Sequence, residues 1–70
     1  MHLISFKNNK QAYIGGKKVR FIIPVATADG AKMIMANLRT DPNIDCVKFH
    51  YDGAGAEIIR EKYFTIERSQ

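Results

Sequence analysis

The sequence predicts a small α+β domain of two layers, in which a single helix packs on one face of a small, mostly antiparallel sheet. Three observations predict this fold. Apolar and polar residues alternate along several short segments, apolar residues recur at helical spacing in one longer segment, and glycine, proline and asparagine separate these segments. The predicted element order is β-β-β-α-β-β, and residues 1–70 are expected to form a single domain.

The first three predicted strands surround a tight turn. Residues 3–7 alternate loosely and end at a pair of asparagines, which is typical of a short strand followed by a turn. Segments 11–14 and 17–25 flank the glycine pair 15–16. Because both residues of a type I′ turn need positive φ, this pair predicts a β-hairpin. Pro24 has no N–H and therefore belongs at a sheet edge or near the end of its strand.

The single predicted helix spans residues 27–40. Thr27 can cap its first turn, where the negative charge of Asp29 also interacts favourably with the helix dipole. Pro42 ends the helix, because the residue before a proline disfavours helical backbone angles. Four apolar residues at helical spacing form one stripe that we expect to pack on the sheet: Ala31, Ile34, Met35 and Leu38.

Two further strands are predicted after the helix. Residues 45–51 alternate, and residues 56–67 are predicted to be a strand, with 56–61 also compatible with a helical turn. One face of the sheet is then covered by the helix, and the other face has nothing to cover it. The predicted core consists of Val19, Phe21, Ile23, Ile34, Leu38, Val47 and Phe49.

Composition excludes several classes of protein. Hydrophobic residues make up 46% and charged residues 26%, close to the average of globular proteins, which excludes a disordered chain. Cys46 is the only cysteine, so no intramolecular disulfide can form. The longest apolar run, 21–26, is far shorter than the roughly 20 residues that span a membrane. Residues 1–5 lack the basic region and apolar stretch of a signal peptide, so we expect a cytoplasmic protein that does not bind membranes.

Sequence motifs for catalysis or metal binding are weak. Gly53 and Gly55 follow a predicted strand, but Ile58 stands where a dinucleotide-binding loop needs its third glycine. Cys46 and His50 lie about 13 Å apart along a strand, which is too far for both to bind one zinc ion. We therefore predict no enzyme activity, no metal site and no cofactor.

Positive charge is concentrated in the first 28 residues. They hold five basic residues and no acidic residue, whereas the rest of the chain holds six basic and seven acidic residues. The two-residue turn pairs Tyr13 with Lys18 and Gln11 with Arg20, which places these four side chains on the uncovered side of the sheet. Together with Lys17 they form the candidate binding site, here called the basic hairpin face: Gln11, Tyr13, Lys17, Lys18 and Arg20.

The leading hypothesis is a non-enzymatic interaction module that docks on another macromolecule, with a protein as the expected partner. The short chain, its complete-looking ends and the missing catalytic signature are typical of accessory proteins of phages and mobile elements. A homodimer, formed by the uncovered sheet face or by edge-strand pairing, is also expected, because that face would expose apolar side chains that soluble monomers seldom leave open. These side chains are Ile22, Pro24 and some of Ile4, Ile58 and Phe64.

Two alternatives belong to other functional classes. The first is a single-stranded nucleic-acid binding protein, in which lysines of the basic hairpin face contact phosphates and Tyr13 stacks on a base. The second is a small-ligand or nucleotide-binding protein, with the loop 52–56 as the rim of its pocket.

Overall fold

The computed structural model describes residues 1–68, which form five strands and two α-helices. The strands are β1 (His2–Asn8), β2 (Tyr13–Ile14), β3 (Lys17–Val25), β4 (Ile44–His50) and β5 (Phe64–Glu67). The helices are α1 (Ala28–Leu38) and α2 (Ala56–Lys62), and a 3-10 turn, Tyr51–Gly53, precedes α2. The predicted α+β class is confirmed.

Strand β3 lies at the centre of the sheet. On one side it pairs antiparallel with β1, which in turn pairs antiparallel with β4. On the other side β3 pairs antiparallel with the short β2 and parallel with β5. The sheet is mostly antiparallel, as predicted, and within residues 1–68 β4 forms one of its outer edges.

The predicted β-hairpin is confirmed in its turn and in the two residue pairs beside it, but β2 begins at Tyr13, so the predicted pairing of Gln11 with Arg20 lies outside the ladder. Tyr13 pairs with Lys18, and Ile14 pairs with Lys17. The two turn glycines have φ values of 57° and 80°, the left-handed values that a type I′ turn requires and that glycine adopts without a steric penalty.

Helix α1 covers one face of the sheet. It begins where the Thr27 hydroxyl accepts a hydrogen bond from the Gly30 amide at 3.1 Å, as the capping prediction requires. Beneath it, buried side chains of β1, β3 and α1 form the main core: Ile4, Phe6, Val19, Phe21, Ile23, Val25 and Ala31. Ile34, Leu38 and Val47, which were predicted in the core, are half-buried against it.

One predicted core residue lies elsewhere. Phe49 is 36% exposed, because it belongs to the outer strand β4, where α1 lies beside it and no further strand covers it. Its ring forms one wall of an open apolar groove of about 230 Å³, opposite Met35 of α1.

Part of the opposite face, over Leu3 and Ile22, is covered by α2. The predictions of a single helix and of a strand over 56–61 are therefore wrong, and the face predicted to be open is only partly open. Ala56, Ile59 and Tyr63 recur at helical spacing, and Ile59 is buried against Leu3 and Ile22. Burial of the Ile59 side chain stabilises the helical conformation of this segment. Its Ala, Glu, Arg and Lys residues are also good helix formers.

A homodimer was expected because of an exposed apolar sheet face, and the structure shows little of such a face. Ile22 is 2% exposed beneath α2, and Pro24 is half-buried. Ile4 is 0% exposed and lies on the other face of the sheet, in the main core beneath α1. Only Ile58 and Phe64 of the apolar side chains expected on an open face are exposed. Self-association therefore stays a prediction without a large apolar sheet face to support it.

A β-bulge interrupts the pairing of β1 with β4. Ser5 pairs with Lys48, but Lys7 pairs with Asp45, so two steps along β1 correspond to three along β4. Cys46 lies in the bulge with a φ of 52°, a left-handed value that is rare outside glycine. The bulge places one extra backbone carbonyl at the edge of the sheet, where a side chain of β3 binds it.

Candidate functional site

Four of the five residues of the basic hairpin face lie on the surface. Gln11, Lys17 and Lys18 are exposed, and Tyr13 at the end of the hairpin is 63% exposed. The fifth, Arg20, was predicted to lie on the surface, but it is only 5% exposed and is therefore buried. The register predicted its side of the sheet, but there the Arg20 side chain contacts Ser5, Cys46 and the ring of Tyr63, which follows α2.

Arg20 reaches across β1 and holds three strands together. One terminal nitrogen of its guanidinium donates to the Ser5 hydroxyl of β1 at 2.9 Å and to the Cys46 carbonyl of β4 at 2.7 Å. The guanidinium carbon lies 5.6 Å from the centre of the Tyr63 ring, within the range of a cation–π interaction. The left-handed backbone at Cys46 thus presents a carbonyl that Arg20 satisfies.

Ser5 and His50 continue this network. The Ser5 hydroxyl oxygen lies 2.8 Å from Nε2 of His50. The Ser5 oxygen accepts from Arg20, and the tautomer of the neutral His50 ring decides whether Nε2 accepts the Ser5 proton or donates to the Ser5 oxygen. Ser5 is 0% exposed, so this Ser–His pair is inaccessible to a substrate and serves to connect β1, β3 and β4.

Positive charge and burial act together on His50. Burial lowers the pKa of His50 below its usual value of 6.5, and the charges of Arg20 and Lys48 lower it further, while a backbone hydrogen bond to Ala54 opposes the shift. The neutral ring is therefore the form that the folded protein favours.

We expect His50 to make the protein less stable as the pH decreases below about 6.5. The unfolded chain binds a proton at His50 near pH 6.5, whereas the folded chain binds it only at lower pH. Below pH 6.5 the unfolded state consequently holds more protons, so this stability is present above pH 6.5 and is lost as the pH falls through the folded pKa.

Urea denaturation of the wild-type and of His50→Gln at about pH 5 and pH 7.5 measures this effect. Glutamine preserves an acceptor for Ser5 but does not titrate, so the stability of the variant should vary less between the two pH values. Equal pH dependence of the two proteins would exclude His50 as its source.

Three lysines lie on the same side of the sheet as Arg20. Lys48 pairs with Ser5, Lys7 follows Ser5 by two residues on β1, and Lys18 precedes Arg20 by two residues on β3. Paired residues and residues two apart share a face of a sheet. This set, with the Tyr13 that pairs with Lys18, is called the basic sheet surface: Lys7, Lys18, Arg20, Lys48 and Tyr13.

Few carboxylates oppose this surface. Asp45 pairs with Lys7, but its side chain accepts a hydrogen bond from the Cys46 backbone amide at 3.1 Å. Among residues 1–68, one carboxylate lies within 4.0 Å of a basic side chain: Oδ1 of Asp52 is 4.0 Å from Nδ1 of His2, away from this surface. The charge of Arg20 is thus not neutralised by a described acidic side chain.

The basic character continues onto α2. The Lys17 ammonium donates to the Glu61 carbonyl at the end of this helix, at 3.1 Å, and so attaches the hairpin tip to it. The Lys62 ammonium lies 5.8 Å from the centre of the Tyr63 ring, the same ring that contacts Arg20.

The structure also bears on a metal site, on the loop 52–56 and on membrane-spanning helices. No group of three potential metal ligands comes together within residues 1–68. The loop 52–56 is held by a hydrogen bond from the Asp52 amide to Nδ1 of His2 at 3.1 Å, and the apolar groove beside Phe49 is lined by other residues. In the part of the chain that is described, neither helix is long and apolar enough to cross a membrane.

Comparisons with protein-family models, with curated proteins and with solved structures find no match for this chain.

Proposed function

We propose that this protein is a non-enzymatic interaction module that docks on another macromolecule through its basic hairpin face and the adjoining basic sheet surface. The observation that carries this proposal is the exposure of Tyr13, Lys17 and Lys18 on a hairpin with a two-residue turn. A hairpin anchored to α2 by Lys17 holds these side chains in place before a partner arrives, which reduces the entropy lost on binding.

Single-stranded nucleic acid is the partner class that this geometry favours. Tyr13 and Lys18 are directly paired, so an exposed aromatic ring stands beside an exposed ammonium group. Proteins that bind single strands combine these two elements: the ring stacks on a base, and the cation contacts the phosphate backbone. An acidic protein surface is the other partner class, and it would use the lysines but has no comparable need for Tyr13.

We expect both Tyr13→Ala and Lys18→Ala to weaken binding of a labelled single-stranded oligonucleotide, in different ways. Loss of stacking at Tyr13 should cost about 1–3 kcal/mol and leave the salt dependence unchanged, because stacking releases few counterions. Loss of one phosphate contact at Lys18 should flatten the slope of log affinity against log salt by about 0.7. Fluorescence anisotropy over a salt series measures both quantities.

Lys32→Ala is the matched control, because Lys32 is an exposed lysine of α1, on the other side of the sheet. It should bind as the wild-type does. If Lys18→Ala and Lys32→Ala behave alike, the hairpin is not the contact surface. If the wild-type does not bind the oligonucleotide at about 50 mM salt, where non-specific attraction is strong, the nucleic-acid form of the proposal is wrong, and an acidic protein surface is left as the proposed partner class.

A further inference from the structure

We propose that the outer edge of β4 and the apolar groove between β4 and α1 together bind an extended segment of another protein, in which apolar residues alternate with acidic ones. The segment adds to the sheet as a further strand beside β4. This inference goes beyond the proposed function, because β4 and the hairpin strand β2 lie at opposite ends of the strand order. The two surfaces share only Lys48.

Strand β4 offers backbone hydrogen-bonding groups along its outer side. Its inner side pairs with β1, and within residues 1–68 no strand pairs with its outer side. Alternate residues of such an edge strand direct their N–H and C=O groups away from the sheet, where an extended chain can satisfy them. The β-bulge at Cys46 interrupts this edge, so the stretch that accepts a strand is residues 47–50, which follow the bulge.

An apolar groove lies beside this stretch. It has a volume of about 230 Å³ and is lined by Phe49 of β4 and by Ala28, Ala31, Lys32 and Met35 of α1. A cavity of about 150 Å³ is large enough for benzene, so the groove has room for one aromatic or branched aliphatic side chain. Recognition by strand addition combines backbone hydrogen bonds with pockets for alternate side chains, and this edge offers both.

Contacts with neighbouring rings hold the Phe49 wall of the groove in place. The Phe49 ring centroid lies 5.4 Å from that of His2 and 6.5 Å from that of Tyr51. The Tyr51 ring also contacts His2, at 4.9 Å, and Tyr51 is 64% exposed. The apolar surface thus continues past the end of β4. Because side chains two positions apart share a face of a strand, a second apolar residue of the bound segment would contact Tyr51.

Charge favours an acidic segment over a second copy of this chain. Lys32 is the charged residue among the described lining of the groove, and the exposed Lys48 lies next to Phe49 on the other face of the sheet. A side chain that enters the groove directs its neighbours in sequence to the face of Lys48, where acidic residues would pair with this lysine. A second copy has a net charge of +4 and brings the same lysines to the edge.

Selection from a random peptide library displayed on phage, with the purified protein as the target, tests the occupant. The selected sequences should alternate apolar residues with Asp or Glu. Fluorescence anisotropy of a labelled synthetic peptide with a selected sequence then measures the site. Phe49→Ala should weaken binding at least about ten-fold, because the ring forms one wall of the groove.

Phe64→Ala is the matched control for Phe49→Ala. Phe64 is also an exposed phenylalanine of the sheet, at 42%, but it lies on β5, on the other side of β3 from β1 and β4. Its truncation should leave peptide binding unchanged. Circular dichroism would verify that both variants fold.

Amide hydrogen exchange of the wild-type protein measures strand addition itself. The peptide should slow exchange within residues 47–50, because new backbone hydrogen bonds protect amides that otherwise face solvent. A control peptide with Asn and Gln in place of its acidic residues should bind more weakly. This difference between the two peptides should be smaller for Lys48→Gln, which lacks the proposed charge partner.

The outcomes distinguish this site from the hairpin. Lys18→Ala should bind the peptide as the wild-type does, so a failure of oligonucleotide binding leaves this inference standing. The inference is wrong if no peptide is enriched, if the enriched peptides lack acidic residues, or if Phe49→Ala and Phe64→Ala bind alike. Protection of residues 47–50 in the protein alone, together with a dimer in light scattering, would assign the edge to a second copy and overturn it as well.

Discussion

Phe6→Ala should unfold the protein or bring it close to unfolding. The Phe6 side chain is fully buried, and its ring stacks on Phe21 with 5.3 Å between the ring centroids. Truncation of such a ring removes its transfer free energy and leaves a cavity, at a cost of about 3–5 kcal/mol. Small domains have only about 5–15 kcal/mol of total stability, with the smallest near the lower limit. Thermal denaturation followed by circular dichroism should show a fall in Tm of more than about 12 °C.

Met33→Ala provides the control for Phe6→Ala. Met33 is 71% exposed on α1, so its truncation should change the free energy of unfolding by less than about 0.5 kcal/mol. A Phe6→Ala protein that melts within a few degrees of the wild-type would contradict the core described above.

Ile59→Asp should detach α2 from the sheet. Ile59 is 8% exposed and packs against Leu3 and Ile22. Loss of its apolar contacts alone costs about 2–5 kcal/mol, and an unpaired carboxylate in that position adds a desolvation penalty. We expect a lower free energy of unfolding and faster amide hydrogen exchange in α2.

Ile58→Asp is the matched control for this substitution. Ile58 precedes Ile59 in the same helix but is 67% exposed, so the same change of residue should cost little. If the two variants lose similar stability, or if Ile58→Asp loses more, then α2 does not face the sheet as described.

The parts of the fold that depend on local sequence were predicted well. The glycine pair defines the turn of the hairpin, and the turn length then determines that Tyr13 pairs with Lys18. The Thr27 cap likewise depends on residues within one helical turn. Both features need no knowledge of distant segments, which is why the sequence is sufficient for them.

The second helix could not be predicted in this way, because its sequence is compatible with two structures. Residues 56–61 contain Ile58 and Ile59 in succession, and only the contact of Ile59 with the distant β1 and β3 decides between helix and strand. The sequence did contain one indication that a second element packs on the other face of the sheet. Leu3 and Ile4 are adjacent apolar residues in a strand, and a strand that is buried on both faces loses its alternation.

The candidate site was predicted in part. The hairpin register indicated the side of the sheet on which Lys18 and Arg20 lie. It could not indicate that Arg20 is buried, because this depends on α2, nor that Cys46 offers a carbonyl, because the bulge appears only when β4 pairs with β1. Ser5 and Lys48 lacked a sequence motif and become recognisable only through their pairing.

The salt dependence of binding to a single-stranded oligonucleotide tests most directly whether the basic surface contacts a phosphate backbone. With three to five phosphates neutralised, we predict a slope of log affinity against log salt of about −2 to −3.5 for the wild-type protein. Anisotropy measurements from about 50 mM to 300 mM salt give this slope without any assumption about which residues bind. A slope near zero, or no binding at 50 mM, would contradict a nucleic-acid interface on this protein.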